Sequence, residues 1–412
     1  MPLIFVLTSQ ITNRVYLSAW RAVGENQTGP ALPFGLRGIT KEPLACVVHT
    51  HLPYSTHPPT TTMTTPTTQK AWIVERMGHP SKALNFKSDW PVPSEIPKDH
   101  VLVKIQAAAL NPVGWKLMQL APNFVAKRPL PAEYDFAGVV EKKNGTELEV
   151  GDPVFGFIHV STTLKSRQGA LAEYALVPDI SVTKRPPNID AIHASGLTLA
   201  GLTAWQSLFE CAHLEAGQTV FIYGASTAVG LFAIQIAKAR GIKVVASASG
   251  AKEELVTKMG ADEFIDYTKE PIHKYLASHP PSPKFHAIID AYGLSDPSLY
   301  THSAAYMAPG GVFVTTTPAP HGLSFKEIGY LFRTIAAMTW PSWLGGIPRK
   351  FKLVSLKENK ADLEAFRDLV AEGKLVGVVD SVYEMPDALK AYERILTSRA
   401  TGKVVVKIEE ST

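Results

Sequence analysis

The chain has 412 residues, of which 45% are hydrophobic and 19% charged, and its formal net charge is +4. This composition excludes a disordered chain, and the length suits two domains plus an extension. The positive charge is spread thinly, without the dense basic run that would favour nucleic-acid binding. Two cysteines, Cys46 and Cys211, are too few for a disulfide framework or a four-cysteine zinc site, and they favour a reducing compartment. We find no stretch apolar enough to span a membrane.

Residues 1–68 do not have the pattern of a folded domain. Spaced arginines with few acids faintly resemble a mitochondrial presequence, and Ser55–Thr68 has the Thr- and Pro-rich composition of a flexible linker. Met63 lies shortly before the first predicted strand, which begins at Ala71. We therefore predict that residues 1–68 are a disordered extension or a wrongly assigned start. The predicted location is cytoplasmic, with a mitochondrial location as the alternative.

Residues 69–195 are rich in short strand-like runs punctuated by Gly, Pro and Asn. Asp99–Ala107 alternates apolar and polar residues with period two, which predicts a half-buried antiparallel strand. Further strands are predicted at Ala71–Val74, Asp135–Glu141, Asp152–Phe157 and Leu171–Val177. Many short strands of this kind indicate a small barrel-like domain.

The most informative stretch is Thr219–Gly241, with the sequence TVFIYGASTAVGLFAIQIAKARG. A strand at Thr219–Tyr223 leads into a turn of small residues and then an amphipathic helix. Such a turn brings backbone N–H groups and a helix N-terminus close to the diphosphate of a dinucleotide. The predicted contacts of this turn are Gly224, Ser226, Thr227, Ala228, Val229 and Gly230.

From Thr219 onward, predicted strands alternate with helices, which indicates a parallel, doubly wound sheet over residues 196–345. The stretch Pro318–Phe351, rich in aromatics and prolines, breaks this rhythm. It is interpreted as a lid or wall of the substrate cavity, or else as a loop at a subunit interface. Residues 346–412 form a C-terminal segment, and its last strand, Gly402–Ile408, is expected to rejoin the first domain.

Several motifs occur in an order typical of one family. They are NPVGWK at Asn111–Lys116, DFAGVV at Asp135–Val140, GALAEYALVP at Gly169–Pro178, LAGLTAWQSL at Leu199–Leu208, GASTAVG from Gly224, MGADEFIDY at Met259–Tyr267 and GKVVV at Gly402–Val406. Over residues 69–412 the chain resembles the medium-chain dehydrogenase/reductase superfamily, in its zinc-independent quinone oxidoreductase and enoyl reductase branch. The resemblance implies an α/β protein in which a GroES-like, β-rich catalytic domain is interrupted by a Rossmann domain.

Zinc-containing members of this superfamily hold the metal with cysteine and histidine ligands. The matching places here read Ala108–Asn111 and Tyr134–Asp135, with no thiolate or imidazole. Zn²⁺ prefers nitrogen and sulfur donors in a tetrahedral array, so no catalytic zinc is expected. His159, His193 and His213 have no partners at metal-ligand spacing and are interpreted as structural.

The residue at position 227 separates two branches of the family. Quinone reductases commonly have Gly here, whereas Ser226 and Thr227 resemble the turn of stand-alone fungal enoyl reductases that assist polyketide synthases. The two hydroxyls are predicted to donate to phosphate oxygens. The alternative is that Thr227 only caps the helix.

The end of the second predicted Rossmann strand indicates which dinucleotide binds. NAD enzymes place an acid there, whereas this chain has Ser247, Ser249 and Lys252. Tyr267 lies where the family places a ring near the 2′-phosphate. NADPH is therefore the predicted cofactor. The alternative is that these are ordinary loop residues.

The remaining predicted site residues rest on the resemblance. Asn111, Lys116 and Tyr134 are the catalytic candidates, the alternatives being a turn Asn before Pro112, an exposed lysine and a packing residue. The usual family form at Gly114 is Asp, so this loop lacks a carboxylate that many relatives carry. Predicted cofactor contacts elsewhere are Thr203, Val314, Thr315 and Lys403, the last of which could instead be a lysine at a strand end.

The predicted activity is NADPH-dependent hydride transfer to an activated C=C bond of an enoyl or enone substrate. A quinone reductase on the same fold is the alternative, and a cofactor-binding protein without catalysis is a second. A polyketide synthase is a possible partner, and the chain is expected to be a monomer or a homodimer. Neither nucleic acid nor a membrane is predicted as a partner.

Overall fold

The computed structural model describes residues 65–316, 325–340, 344 and 346–409. The predicted N-terminal extension therefore lies, up to residue 64, outside the described residues, and so does part of the predicted lid. Almost all of the described residues belong to one compact unit that begins at Pro66.

The first part of this unit is built from short, mostly antiparallel strands, as predicted. They are β1 (Thr68–Val74), β2 (Leu84–Pro91), β3 (His100–Ala109), β4 (Leu130–Pro131), β5 (Asp135–Asn144), β6 (Pro153–Phe157), β7 (Tyr174–Pro178) and β8 (Val182–Lys184). A three-stranded sheet has the order β2–β1–β4. The other strands join a seven-stranded sheet in which β3 is central and pairs with both β5 and β7.

Short helices connect these strands. They are α1 (Pro80–Ala83), α2 (Pro112–Leu120), α3 (Asn123–Ala126), α4 (Val160–Ser166) and α5 (Ala191–Ser195). Helix α2 follows β3 after two residues, and Pro112 at its first position presets the helical φ angle. Asn111 therefore lies just beyond the C-terminal end of the central strand β3.

The second part is a six-stranded parallel sheet of order β11–β10–β9–β12–β13–β14. Its strands are β9 (Thr219–Tyr223), β10 (Lys243–Ala248), β11 (Glu263–Asp266), β12 (Phe285–Asp290), β13 (Met307–Thr315) and β14 (Lys350–Leu353). Its helices are α6 (Thr198–Gln206), α7 (Ala228–Ala239), α8 (Glu253–Lys258), α9 (Ile272–Ser278), α10 (Ser298–Thr301) and α11 (Phe325–Thr339).

Helices cover both faces of this sheet, which confirms the doubly wound prediction. Val220 and Ile222 of β9 belong to the hydrophobic cluster that contains Phe232 and Ile236 of α7. Phe221, between them, belongs to a second cluster with residues of α9 and α10. Successive side chains of a strand point to opposite faces, so a strand buried on both sides is apolar throughout.

The C-terminal segment returns to the seven-stranded sheet of the first part, as predicted. It contains α12 (Lys360–Ala371), β15 (Val379–Glu384), α13 (Ala388–Leu396) and β16 (Lys403–Lys407). Strand β16 pairs antiparallel with β3, placing Val405 opposite Ala109, and parallel with β15. The last strand therefore lies beside the segment that carries Asn111.

Two features of the stretch Pro318–Phe351 differ from the sequence-based expectation. It contains the 15-residue helix α11, and β14 extends the parallel sheet beyond the predicted boundary at residue 345. The prolines flank α11 rather than interrupt it, so helix formation is possible between them. Among the described residues, no helix is long and apolar enough to cross a membrane.

Candidate active site

A buried polar network lies where β16, β3 and β5 meet. The Lys403 Nζ is 3.0 Å from Asp135 Oδ2 and donates to Asn111 Oδ1 at 2.6 Å. All three residues are less than a tenth exposed. The strand register explains the arrangement, because Ala109 is opposite both Asp135 and Val405. The predicted residues Asn111 and Lys403 are thus brought together, with Asp135 between them.

Both the nitrogen and the oxygen of the Asn111 side-chain amide make hydrogen bonds inside this network. Its Nδ2 donates to Asp135 Oδ2 at 3.1 Å and to the carbonyl of Ala109 at 3.2 Å. Lys403 uses two of its three N–H donors on Asn111 and Asp135. The side chain of Asn111 is therefore held rigidly, and Lys403 retains one donor.

Glu133 joins the network from the main-chain side of Asn111. Its Oε2 accepts from the Asn111 backbone N–H at 3.1 Å, and its Oε1 accepts from the Tyr392 hydroxyl at 2.6 Å. Burial raises the pKa of Glu133 to about 7, while the hydrogen bonds from Tyr392 and Asn111 and the charge of Lys403 act in the opposite direction. Burial and the neighbouring Glu133 also raise the pKa of Tyr392.

The sequence reasoning missed Glu133, Asp135 and Tyr392 as site residues. Asp135 offered a signal, because it is an acid at the start of an apolar strand in the quoted motif DFAGVV. Tyr392 offered none, since its partner is 259 positions away.

The two other catalytic candidates lie in different surroundings. Tyr134 is buried, and both burial and the neighbouring Glu133 raise the pKa of its phenol, while Arg128 opposes this. Lys116 is half-buried in α2, with its Nζ 5.8 Å from the centre of the Trp115 ring. Burial lowers the pKa of Lys116. Within the described part of the chain, its ammonium makes no hydrogen bond or ion pair, so it remains available to a ligand.

The helix N-terminus of the dinucleotide turn is shaped by two glycines. Gly224 has a φ of +71°, in the left-handed region that favours glycine, and a Cβ there would lie 2.9 Å from Tyr292 Cβ. A Cβ at Gly230 would lie 2.8 Å from the Cα of Ala225. These close approaches let the main chain fold tightly enough to present N–H groups to a phosphate.

Thr227 is the N-cap residue of α7. Its hydroxyl accepts from the Gly230 N–H at 3.1 Å and donates to the Gly224 carbonyl at 2.8 Å. The capping alternative is therefore present in the structure, and the phosphate contact of Thr227 stays a prediction. Ser226, Ala228 and Val229 are half-buried, so this turn is accessible from one side.

The residues predicted to recognise the 2′-phosphate differ in exposure. Ser249 and Lys252 are half-buried, and Tyr267 is exposed with its ring 5.7 Å from that of Tyr223. Ser247 is fully buried, and its Oγ has no hydrogen-bond partner in the described structure. The Ser247 carbonyl accepts a hydrogen bond from the Ala225 N–H at 3.0 Å. The main chain of Ser247 is therefore hydrogen-bonded to the glycine turn.

An acid that the sequence reasoning did not consider lies beside this loop. The Asp266 carboxylate accepts from the backbone N–H and hydroxyl of Thr268 at 2.9 and 2.7 Å. These hydrogen bonds lower the pKa of Asp266. A Cβ at Gly250 would lie 2.6 Å from Asp266 Oδ2, so the acid packs against the loop after β10.

The remaining predicted cofactor residues have internal partners. The Thr203 hydroxyl donates to the carbonyl of Leu199 in its own helix at 2.7 Å. Val314 is fully buried in β13, and the Thr315 hydroxyl donates to Asp290 Oδ2 at 2.7 Å. Asp290, another residue missed from sequence, also accepts the N–H groups of residues 292, 293 and 294, and burial raises its pKa.

Helix α6 connects the part that contains the parallel sheet with the polar network. The backbone N–H of Leu199 donates to Asp135 Oδ1 at 2.8 Å, so a helix N-terminus stabilises the buried carboxylate. Gly196 makes room for Lys403, because a Cβ there would lie 2.9 Å from Lys403 Cγ.

The side chains at the places that match the family's metal ligands do not fit a zinc ion. Asn111, Tyr134 and Asp135 provide oxygen and amide groups without the nitrogen or sulfur donors that zinc prefers. In the described residues, no three His, Cys, Asp or Glu side chains cluster so as to hold a metal.

Comparison with known proteins identifies the family. Residues 97–187 match the model for the alcohol dehydrogenase GroES-like domain, and residues 259–406 match the model for zinc-binding dehydrogenases. The trans-enoyl reductase poxH of Penicillium oxalicum is 32% identical over 392 residues, covering 84% of this chain and 100% of that protein. The chain belongs to the medium-chain dehydrogenase/reductase superfamily.

Further matches place this superfamily member more closely. The chloroplastic NADPH-dependent alkenal/one oxidoreductase of Arabidopsis thaliana is 33% identical over 351 residues, covering 83% of this chain and 80% of that protein. The solved structure of the quinone oxidoreductase from Coxiella burnetii matches with a TM-score of 0.66 and 27% identity, covering 83% and 99% of the two chains. The chain is an oxidoreductase of the enoyl reductase branch, as predicted.

Proposed function

We propose that the protein reduces an activated C=C bond of an enoyl or enone substrate with NADPH and without zinc. The observation that carries this proposal is the Lys403–Asn111–Asp135 network, in which an ammonium group donates to Asn111 and Asp135, two of the residues matched to the family's metal place. The match along the whole of a trans-enoyl reductase favours the same chemistry. NADPH, when bound, supplies the hydride.

The residues of the chain bind and orient the reactants. Gly224, Gly230 and the first turn of α7 form the diphosphate site. Ser249, Lys252 and Tyr267 offer a hydroxyl, a cation and a ring to the 2′-phosphate, and none of them is a carboxylate. The NADPH-dependent relative supports this choice of cofactor.

Proton delivery is assigned to Lys116. Hydride addition at the β-carbon leaves an enolate, and an ammonium group stabilises that charge and then gives its proton to the α-carbon. Lys116 has the required features, since its pKa is lowered by burial and its ammonium makes no hydrogen bond or ion pair among the described residues. The product has gained one hydride and one proton, and the proton is replaced from water.

Reduction of a quinone is the second candidate, favoured by the match to the quinone oxidoreductase structure. We also propose that the enoyl group is delivered by a polyketide synthase, which would agree with the description of the relative as a trans-enoyl reductase.

The test is turnover by the purified full chain with NADPH or NADH against enals, enones, quinones and enoyl thioesters. We expect NADPH-dependent reduction of an enone or enoyl thioester that a zinc chelator leaves unchanged. A clear preference for NADH would contradict the assigned cofactor, and loss of activity with the chelator would contradict the assigned chemistry. Faster reduction of a carrier-bound than of a free enoyl thioester would support the synthase partner.

A further inference from the structure

Helix α2 begins without an acid in its own first turn. Asn111 is its N-cap residue, but the Asn111 side chain makes no capping hydrogen bond. In a capping box, the third helical residue sends an acidic side chain back to the backbone N–H of the N-cap residue. The third helical residue here is Gly114, which has no side chain. The N–H of Asn111 donates instead to Glu133, 22 residues further along the chain.

Gly114 and Glu133 share one space. A Cβ at Gly114 would lie 2.9 Å from Glu133 Cδ and equally close to Oε2, which is nearer than Cβ atoms in proteins approach other groups. A side chain at position 114 would therefore meet the Glu133 carboxylate, which would have to shift to make room for it. The first turn of α2 has no acid at position 114, and the Glu133 carboxylate takes the place that such an acid would occupy.

Glu133 adopts this position against two unfavourable effects. Its φ of +63° is in the left-handed region, which non-glycine residues rarely adopt. Its side chain is also buried, where an ionised carboxylate is disfavoured. A glutamine would remove the second effect and a glycine would remove both. Strain of this kind persists only where the surrounding structure holds the residue in place, and it clusters at functional sites.

The neighbours of Glu133 explain what it holds. Tyr392 of α13 donates to it, Lys403 of β16 and Asp135 of β5 are the charged groups facing it, and Tyr134 is next to it in the chain. Glu133 fixes the main chain of Asn111, while Lys403 and Asp135 fix its side chain. The same first turn sets the direction of α2, which carries Lys116.

We propose that Glu133 is a positioning residue that supplies, from outside the helix, the capping carboxylate of α2 and thereby holds Asn111 and Lys116 in place for hydride and proton transfer. This proposal rests on the proposed function. It implies that most of the activity is kept when the carboxylate is moved from position 133 to position 114.

The experiment compares two double variants. Glu133→Gly with Gly114→Asp moves the carboxylate into the helix and removes the left-handed glutamate. Glu133→Gly with Gly114→Ala is the matched control, because Ala favours the helix at least as well but accepts no hydrogen bond. The single variants Glu133→Gly and Glu133→Gln complete the set, and all are measured for kcat, KM for NADPH and thermal unfolding.

We expect Glu133→Gly to lower kcat by about tenfold or more with little change in the KM for NADPH, since small displacements near the reacting atoms mainly affect turnover. The Asp double variant should return to within about threefold of the wild-type kcat, and the Ala double variant should not. Equal rescue by Ala, or unchanged kcat in folded Glu133→Gly, would overturn the proposal.

Hydrogen–deuterium exchange over residues 109–118 separates this proposal from the proposed function. The first turn of α2 should exchange faster in Glu133→Gly and in the Ala double variant, and return to wild-type protection in the Asp double variant. This readout needs no substrate. Wild-type protein that reduces no enone or quinone would refute the function alone, and unchanged exchange in Glu133→Gly would refute the positioning role alone.

Discussion

Lys403 and Asp135 form an ion pair that is almost entirely removed from water, with a distance of 3.0 Å between Nζ and Oδ2 and side chains 4% and 0% exposed. Strand β3 lies between their two strands. A buried charge left without its partner is strongly destabilising, whereas an exposed pair contributes little.

The first prediction is that Lys403→Met lowers the free energy of unfolding by about 3–5 kcal/mol, because Asp135 is left unpaired. Urea denaturation measures this change. Lys390→Met is the matched control, since Lys390 forms an exposed pair with Asp387 and should change stability little. Adding Asp135→Asn to Lys403→Met should restore part of the loss. Equal effects of the two lysine variants would contradict a buried pair.

The second prediction concerns pH. The pKa of Glu133 is about 7 in the folded protein against 4.5 for the ordinary group, so the folded state holds a proton that the unfolded state has released between these values. Wild-type stability relative to Glu133→Gln should therefore fall as pH rises from 4.5 to 7, by at most about 3 kcal/mol. Chemical denaturation of both proteins across this range provides the measurement. A relative stability that rises with pH would show that the Glu133 pKa is not raised.

The third prediction concerns Lys116. Lys116→Met should lower kcat by about a hundredfold while the KM for NADPH changes little, because a positioned proton donor contributes to the transition state. Lys116→Arg keeps the charge but holds its proton too tightly, so it should rescue only part of the rate. Lys165→Met, at an exposed position in α4, is the control. If Lys116→Met keeps the wild-type kcat, another group delivers the proton.

The fourth prediction tests the choice of dinucleotide. Lys252→Met should weaken NADPH binding by about tenfold and leave NADH binding unchanged, because only NADPH carries the 2′-phosphate. Fluorescence titration with each dinucleotide gives the two dissociation constants. Lys258→Met, at an exposed lysine near the other end of α8, should affect neither. Parallel weakening of both dinucleotides would mean that Lys252 acts on shared parts of the cofactor.

The fifth prediction separates the two roles of the Thr227 hydroxyl. Thr227→Gly should cost only a few tenths of a kcal/mol in stability if capping alone is lost, because glycine is tolerated at N-caps. We expect it also to lower NADPH affinity, whereas Thr227→Ser should keep both properties. NADPH affinity that does not move in Thr227→Gly would show that the hydroxyl makes no phosphate contact.

The features predicted from sequence are those encoded by nearby residues. Strand β9 was predicted with both of its observed ends, because the apolar run of Thr219–Tyr223 stops at a glycine with positive φ. Periodicity likewise predicted the antiparallel β3. Helix α11 was missed because its flanking prolines were interpreted as breaking the whole stretch.

The polar network was only half predicted. Asn111 and Lys403 belong to family motifs, so the resemblance identified both. Glu133 and Tyr392 are 259 positions apart, and no local pattern marks a pair that tertiary packing creates. The absence of an acid at Gly114 was visible, but the sequence does not show that the loop before β5 supplies a carboxylate at the same point.

The pairing of β16 with β3 has a consequence for biosynthesis. Asn111, Glu133 and Asp135 are translated well before Lys403, which lies in the last strand. Until β16 has been made, the carboxylate of Asp135 therefore has no Lys403 ammonium to pair with. Charge balance in the site is complete only once that strand has joined β3.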